Sequence, residues 1–225
     1  MFCRLLFALL LVPAAAHADL PMDLARLPWQ AREGFADADR FGLTGETRPV
    51  PGFPVSLIRL FGPELHGQTL HYGMSTTLHL TDRDLKSGHL AIFLRGLGDN
   101  WELFFNGHSI HKEMFLDNEG RILIRRTSMG RMVSIESQYL LPGPNTIVFH
   151  FVGAAEPSAR MNDAVPGFFF SEDYMVGPTT YLQSRYSERI DLALMGVYLF
   201  FGLYHLLLYV ARRVDTHYLH FGLFC

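Results

Sequence analysis

Residues Gly98–Ile110 read GDNWELFFNGHSI, and the Asn106-Gly107 dipeptide inside them sets the reading of the whole middle region. Asn-Gly tolerates the positive φ angles that a two-residue hairpin turn demands, so the apolar stretches on either side are expected to pair as antiparallel strands. The same texture extends outward. Short apolar runs occur at Ser56–Phe61, Leu70–Leu80, His89–Leu94, Trp101–Phe105, Ile122–Ile124, Met132–Ile135 and Thr146–Val152. They are separated by turn residues at Gly62-Pro63, Gly96 to Asn100, Asn118 to Gly120 and Pro142 to Asn145. No stretch among them sustains a helical period for three turns, so sheet is expected throughout. Strands this short, without helices of crossover length between them, predict an antiparallel sandwich or jelly roll.

A second stretch, LLPGPNTIVFHF (Leu140–Phe151), follows a Pro/Gly-rich loop with residues apolar on both faces: Ile147, Phe149 and Phe151 on one, Val148 and then Val152 on the other. A strand of that kind is expected at the centre of a sheet. The two stretches, in this order and spacing, resemble the sugar-binding jelly-roll domains found beside glycoside hydrolases and in bacterial sensor ectodomains. Phe104, Phe105, Asn106 and Gly107 match that family's hairpin; Pro142, Gly143, Asn145, Thr146 and Ile147 match its following strand, with Pro144 standing where Gly-Asn is usual. The resemblance implies the scaffold and a carbohydrate-type ligand.

Composition narrows the partners. The formal charge of -3 and a pI near 6.4 give no basic surface for nucleic acid. Mean hydropathy is +0.13 with 49% hydrophobic residues, and the excess lies at the two ends. Residues 1–18, MFCRLLFALLLVPAAAHA, have a lone Arg4, an apolar run too short to span a bilayer, and Ala16-His17-Ala18; this reads as a signal peptide, with Asp19 as the mature N-terminus. Cys3 precedes the apolar run, unlike a lipidation cysteine, and the other cysteine is Cys225, so the middle region can form no internal disulfide. From Asp19 to Val50 an extended arm or first edge strand is expected, anchored by Leu24, Leu27 and Trp29. Phe168–Phe170 is expected as a last strand, or as a surface that rests on the bilayer, and Gly177-Pro178 as a break before a helix leading into the membrane.

Ile190–Val210 carries one carboxylate, Asp191, at its edge and one imidazole, His205, inside. At 1.5 Å per residue it is about 31 Å long, matching a hydrocarbon core of about 30 Å. Arg212 and Arg213 follow, so the positive-inside rule places this end in the cytoplasm and the preceding domain outside. His205 either faces other helices or reaches toward the nearby headgroups. A second apolar run begins at Tyr218. Gly196, Tyr198, Phe200, Gly202 and the Leu203–Tyr209 run LYHLLLY, then Tyr218, Leu219, Phe221, Leu223 and Phe224, resemble the first and second helices of the bacterial seven-transmembrane receptors with diverse intracellular signalling modules. That family commonly carries a sugar-binding-like jelly roll outside, so the two resemblances support each other. This sequence departs from it by stopping at Cys225, before helices three to seven and any cytoplasmic module.

Chemistry is sparse. His108 and His111 have an H-x-x-H spacing, but positions three apart on a strand face opposite ways, so they are expected as solvated hairpin residues and no metal is expected. Carboxylates at Glu102, Glu113, Asp117, Glu119 and Glu136 show no spacing that singles out a catalytic pair, and no nucleophile or phosphate-loop motif occurs, so no enzyme and no cofactor are expected. Asp99, Asn100, Trp101 and Glu102 form a polar-aromatic cluster that can wall a sugar site; the plainer alternative is a core Trp101 beside an Asp99-Asn100 turn.

The expectation is therefore an all-β, jelly-roll or galactose-binding-like β-sandwich followed by a transmembrane α-helix and the start of a second. The organisation is 1–18 signal peptide, 19–185 extracytoplasmic sensor domain, 190–210 first membrane helix, 211–217 cytoplasmic loop and 218–225 start of helix two. The functional expectation is a carbohydrate- or small-molecule-sensing region of a signal-transduction receptor in the inner membrane, its sandwich in the periplasm and its cytoplasmic signalling module beyond Cys225. A single-span anchored lectin or carbohydrate-active envelope protein is the alternative.

Overall fold

In the computed structural model, residues 20–54, 60–65, 68–98, 100–154, 167–186, 189–211 and 220 are described. The signal-peptide reading, Asp99, Arg212, Arg213 and all of the second apolar run except His220 lie outside them. The chain divides into two compact units, Met1–Leu182 and Gln183–Cys225.

The first unit is built from two antiparallel sheets. One runs β3 (Arg48–Pro49), β2 (Gln30–Glu33), β4 (Thr69–Leu80), β9 (Gly143–Ala154), β6 (Asn100–Phe105), β7 (His108–Glu113). The other has β5 (Leu90–Gly98) at its middle, with β8 (Ser128–Ile135) along one side and β11 (Tyr174–Pro178) and β10 (Gly167–Phe168) along the other, β1 (Met22–Asp23) flanking β11. Strand alternation sends Tyr72, Met74 and Leu78 of β4, Trp101, Leu103 and Phe105 of β6, and Ile147, Phe149 and Phe151 of β9 into the same core as Leu90, Ile92 and Leu94 of β5 and Val133 and Ile135 of β8. An aromatic seam of Trp29, Phe53, Phe149, Phe168 and Tyr174 ties the sheets together, with Phe53 stacked on Phe168 at 4.1 Å.

The expected hairpin is present. Asn106 and Gly107 have φ of 47° and 83°, the pair of positive values that joins β6 to β7 in two residues. Asn106 does more than turn the chain. Its Nδ2 donates to Tyr139 O at 2.7 Å and to Asn145 Oδ1 at 2.8 Å, and its Oδ1 accepts the Thr146 N–H at 2.8 Å. Asn145 Nδ2 in turn donates to Leu141 O and Gly143 O. The asparagines of the two quoted stretches thus form one amide clamp between hairpin and central strand, and their service is to the fold.

β9 is central, as its two apolar faces predict, but what covers its outer face was not legible. Residues 34–44 lie across it. Phe35 stacks on His150 at 4.1 Å and on Phe104 at 5.7 Å, and a Cβ at Gly73 would meet Leu43 Cδ2 at 2.4 Å, so a side chain there would displace Leu43 from the sheet. The segment is pinned by Asp39, fully buried, which accepts from Arg32, the Ala36 N–H and the Thr44 hydroxyl. Burial alone would raise the Asp39 pKa, but these bonds and the Arg32 charge hold it below the usual carboxylate range.

One local expectation fails outright. Ile122–Ile124 is no strand; Ile122 makes a single bridge to Leu116, and Leu123 and Ile124 are exposed. Of the two histidines expected as solvated hairpin residues, His108 is exposed and His111 is half-buried; both lie on the edge strand β7, polar because an edge has little to bury on one face. Of the run Ser56–Phe61, residues 56–59 lie outside the described set, and Leu60 and Phe61 are helical.

The second unit contains α3 (Arg189–Ala211), reached through α2 (Thr179–Arg185); α1 (Asp82–Leu85) is a single turn after β4. α3 is the one helix among the described residues long and apolar enough to cross a membrane. Leu194, Val197, Tyr198, Phe200, Phe201, Leu203, Leu207 and Val210 are exposed around its circumference.

Candidate ligand-binding site

Of the residues expected to wall a ligand site, Asn100, Trp101 and Glu102 do not converge, and Asp99 lies outside the described residues. Asn100 is fully buried; its Nδ2 donates to Ile124 O at 3.1 Å and its Oδ1 accepts the Phe115 N–H at 2.6 Å, holding the loop after β7. Trp101 is a core side chain with 0% exposure, stacked on His111 at 4.9 Å, and its Nε1 has no partner among the described residues. Glu102 points to the opposite face, where it accepts from Ser109 Oγ at 2.7 Å and pairs with Lys112 at 3.1 Å. Successive residues on a strand face opposite ways, so a contiguous polar word on β6 is split between two surfaces.

Two side-chain clusters flank β6. At the open edge of the sandwich, Glu113 bridges from β7 to β8, accepting from Ser128 and lying 3.1 Å from Arg131 Nε and 3.3 Å from His111 Nε2. Burial would raise the Glu113 pKa; the Ser128 and His111 bonds and the Arg131 charge outweigh it and hold the carboxyl low. His111 therefore packs between Trp101 and Glu113 and is no free hairpin residue. On the outer sheet face, His71 Nδ1 and His150 Nε2 are 3.3 Å apart beneath Phe35. Burial, then the neighbouring His71, push the His150 pKa down to about 4. Both clusters close on themselves, and no group of three or more metal-ligating side chains occurs among the described residues.

An open groove lies elsewhere. At the end of the β5 sheet where Leu90, Ile135 and Pro178 stand side by side, a recess of about 670 Å³ is lined by Ser87, Gly88, His89, Ser134, Ile135, Glu136, Ser137, Thr179 and Thr180. That volume is of the size that holds small-molecule ligands. It sits at the start of β5, about 26 Å of strand from the Gly98 end that leads to Asn100, at 3.3 Å per residue. The capped turn α1 builds one wall: Thr81 and Asp84 bond reciprocally, and Ser87 Oγ donates to Asp84 O at 2.6 Å. Thr179 builds another, its N–H and its Oγ1 both donating to His89 O. Sequence reading missed this recess because its residues come from three separated stretches of ordinary Ser, Thr and Gly turn composition.

No family model matches the chain, and no curated protein matches it. Among solved structures it is similar to the β-D-mannosidase of Dictyoglomus thermophilum (12% identity, TM-score 0.40, 58% of this chain and 15% of that one). It is also similar to the β-glucuronidase of Bifidobacterium dentium (11%, 0.42, 60% and 20%) and to a glycosyl hydrolase family 2 member of Bacteroides cellulosilyticus (10%, 0.42, 70% and 20%). The matched part thus spans at most a fifth of the length of each of these proteins, whose activities are their own.

Proposed function

We propose that this chain is the ligand-sensing region of a membrane signal-transduction receptor: a non-catalytic, jelly-roll or galactose-binding-like sandwich on the periplasmic side that binds a carbohydrate and passes the binding event to the inner-membrane helix that follows it. The observation that carries the reading is α3, whose apolar side chains are exposed all round. A helix apolar on every face needs hydrocarbon or other helices about it, and here it follows a folded β unit in the same chain. The resemblance of Gly196–Tyr209 to the first helix of the seven-transmembrane receptors, and of the hairpin and central strand to sugar-binding jelly rolls, supports the receptor and ligand parts. Further helices and a cytoplasmic output module belong to this proposal. Signalling then requires that the ligand bind two conformations of the receptor with different affinity.

The test is made on the whole chain in bacterial membranes. In a Cys225→Ser background, a thiol placed at the exposed Glu46 position (Glu46→Cys) is expected to react with a membrane-impermeant maleimide in cells with a permeabilised outer membrane. Labelling only after lysis of the inner membrane, or a chain that washes off with carbonate, overturns the topology on which the reading stands.

A further inference from the structure

We propose that the groove between β5, β8 and β11 is the seat of the ligand, that the ligand is a neutral hydroxyl-rich saccharide, and that its arrival is read at Thr179 and Thr180, the first two residues of α2. The inference rests on the carbohydrate reading above and gives it a site, a charge and a route.

Its lining supports the ligand class. Ser87, Ser134, Ser137, Thr179 and Thr180 bring five hydroxyls to one recess. Ser87 and Thr179 donate their protons to backbone carbonyls and so offer lone pairs to a ligand, whereas the hydroxyls of Ser134, Ser137 and Thr180 make no hydrogen bond to a described residue and can both donate and accept. Glu136 accepts from Gln138 Nε2 through Oε2 at 2.6 Å, which leaves Oε1 for a ligand hydroxyl. No Lys or Arg lines the recess, and Glu136 brings a negative charge. A carboxylate or phosphate ligand would meet the Glu136 charge with no Lys or Arg to offset it, while a neutral polyol finds both donors and acceptors.

The same lining supports the route. Thr179 closes β11 against the start of β5, and Thr180 lines the groove one residue further into α2, the element that leads in sequence to Arg189 and α3. A saccharide bonded at once to Thr180 and to Ser134 or Glu136 ties the beginning of α2 to the strand ends. The β6 residues offer no such link, being engaged in holding their own loop and edge strand.

The experiment uses the full chain in lipid nanodiscs, titrated with the neutral disaccharides cellobiose, maltose, lactose and mannobiose, and in parallel with glucuronic and galacturonic acids. A neutral sugar is expected to bind and the uronic acids at least tenfold more weakly. Ser134→Trp fills the recess from an exposed strand position and is expected to weaken binding at least tenfold with the melting temperature unchanged. Thr180→Ala and Glu136→Gln are each expected to weaken it severalfold, and Arg131→Gln, on the same strand but away from the groove, to leave it unchanged. A nitroxide at Gln183 (Gln183→Cys) is expected to lose mobility when the sugar is added. If a saccharide binds but Ser134→Trp leaves its affinity intact, or if uronic acids bind more tightly, the groove assignment is overturned and the sensor reading stands. Binding without any change at Gln183 overturns the route, and no binding from either set overturns the carbohydrate reading itself.

Discussion

Strand β6 and the groove at the far end of β5 both gather polar residues beside apolar strands, and they use them in opposite ways. On β6, Asn100 places both ends of its amide on backbone groups, Glu102 is held by Ser109 and Lys112, and the Trp101 ring is wholly in the core. At the groove, Ser134, Glu136, Ser137 and Thr180 are exposed around a recess. A polar side chain becomes a ligand contact only when its hydrogen bonds are not already satisfied inside the protein, because breaking a buried bond to make a new one returns little free energy. Asn100, Trp101 and Glu102 therefore serve the architecture, and the unremarkable Ser/Thr hydroxyls of the groove are free to act.

The contrast can be broken most forcefully at Trp101. Trp101→Ala is expected to destabilise the sandwich by roughly 3–5 kcal/mol, the usual cost of emptying a large aromatic site, measured as a fall in the circular-dichroism melting temperature in micelles; a loss below 1 kcal/mol would mean the ring is dispensable to the core. Next is the His150 cluster. Its imidazole titrates near 4 when folded against 6.5 for the free group, so between those values the unfolded chain binds the extra proton. Stability is full above about pH 6.5 and falls as the pH drops toward 4, by up to about 3 kcal/mol. His71 from β4, Glu102 from β6, Lys112 from β7 and Arg40 from the covering segment all face this group. His150→Gln is expected to flatten the slope in that window and to leave the steeper loss near and below pH 4, where Asp39 and Glu113 become protonated.

Smaller effects sharpen the comparison. Asn100→Ala leaves the Phe115 N–H and the Ile124 carbonyl unpaired, at a cost of about 2 kcal/mol, and hydrogen exchange at Phe115 should accelerate ahead of the rest of the sheet. Glu102→Gln removes an ion pair to a largely exposed Lys112 and is expected to cost below about 1 kcal/mol, with the His150 titration moving lower still because Glu102 is what raises it. Ser134→Ala, at the groove, should change stability by no more than about 0.5 kcal/mol. If it proved as costly as Asn100→Ala, the division between architectural and available polar residues would fail.

Much of the sandwich was visible before folding. Leu70–Leu80, Leu90–Leu94 of the run His89–Leu94, Trp101–Phe105, Met132–Ile135 and Thr146–Val152 fall in strands, because a strand buried on one or both faces must carry apolar residues in a period of two or in a run. β7 was legible only through the Asn106-Gly107 turn, because HSIHKE is an edge strand with only Ile110 of its residues apolar. Ile122–Ile124 misled because three apolar residues in a row look like a strand when they are in fact loop, held through the Ile124 carbonyl by Asn100. Residues 34–44 carry no periodicity, so nothing announced that Phe35 and Leu43 would cover a sheet.

The sequence by itself determined the antiparallel β class, the Asn106-Gly107 hairpin, the central place of β9 and a helix apolar enough to cross a membrane, since each follows from local φ preferences or from the spacing of apolar residues along one element. Only the tertiary structure decided which polar groups are left over. Whether Glu102 meets Lys112, whether Asn145 meets Asn106, and whether Ser87, Ser134 and Thr180 share a recess depends on strand register and sheet packing between residues tens of positions apart, and no local pattern encodes those distances.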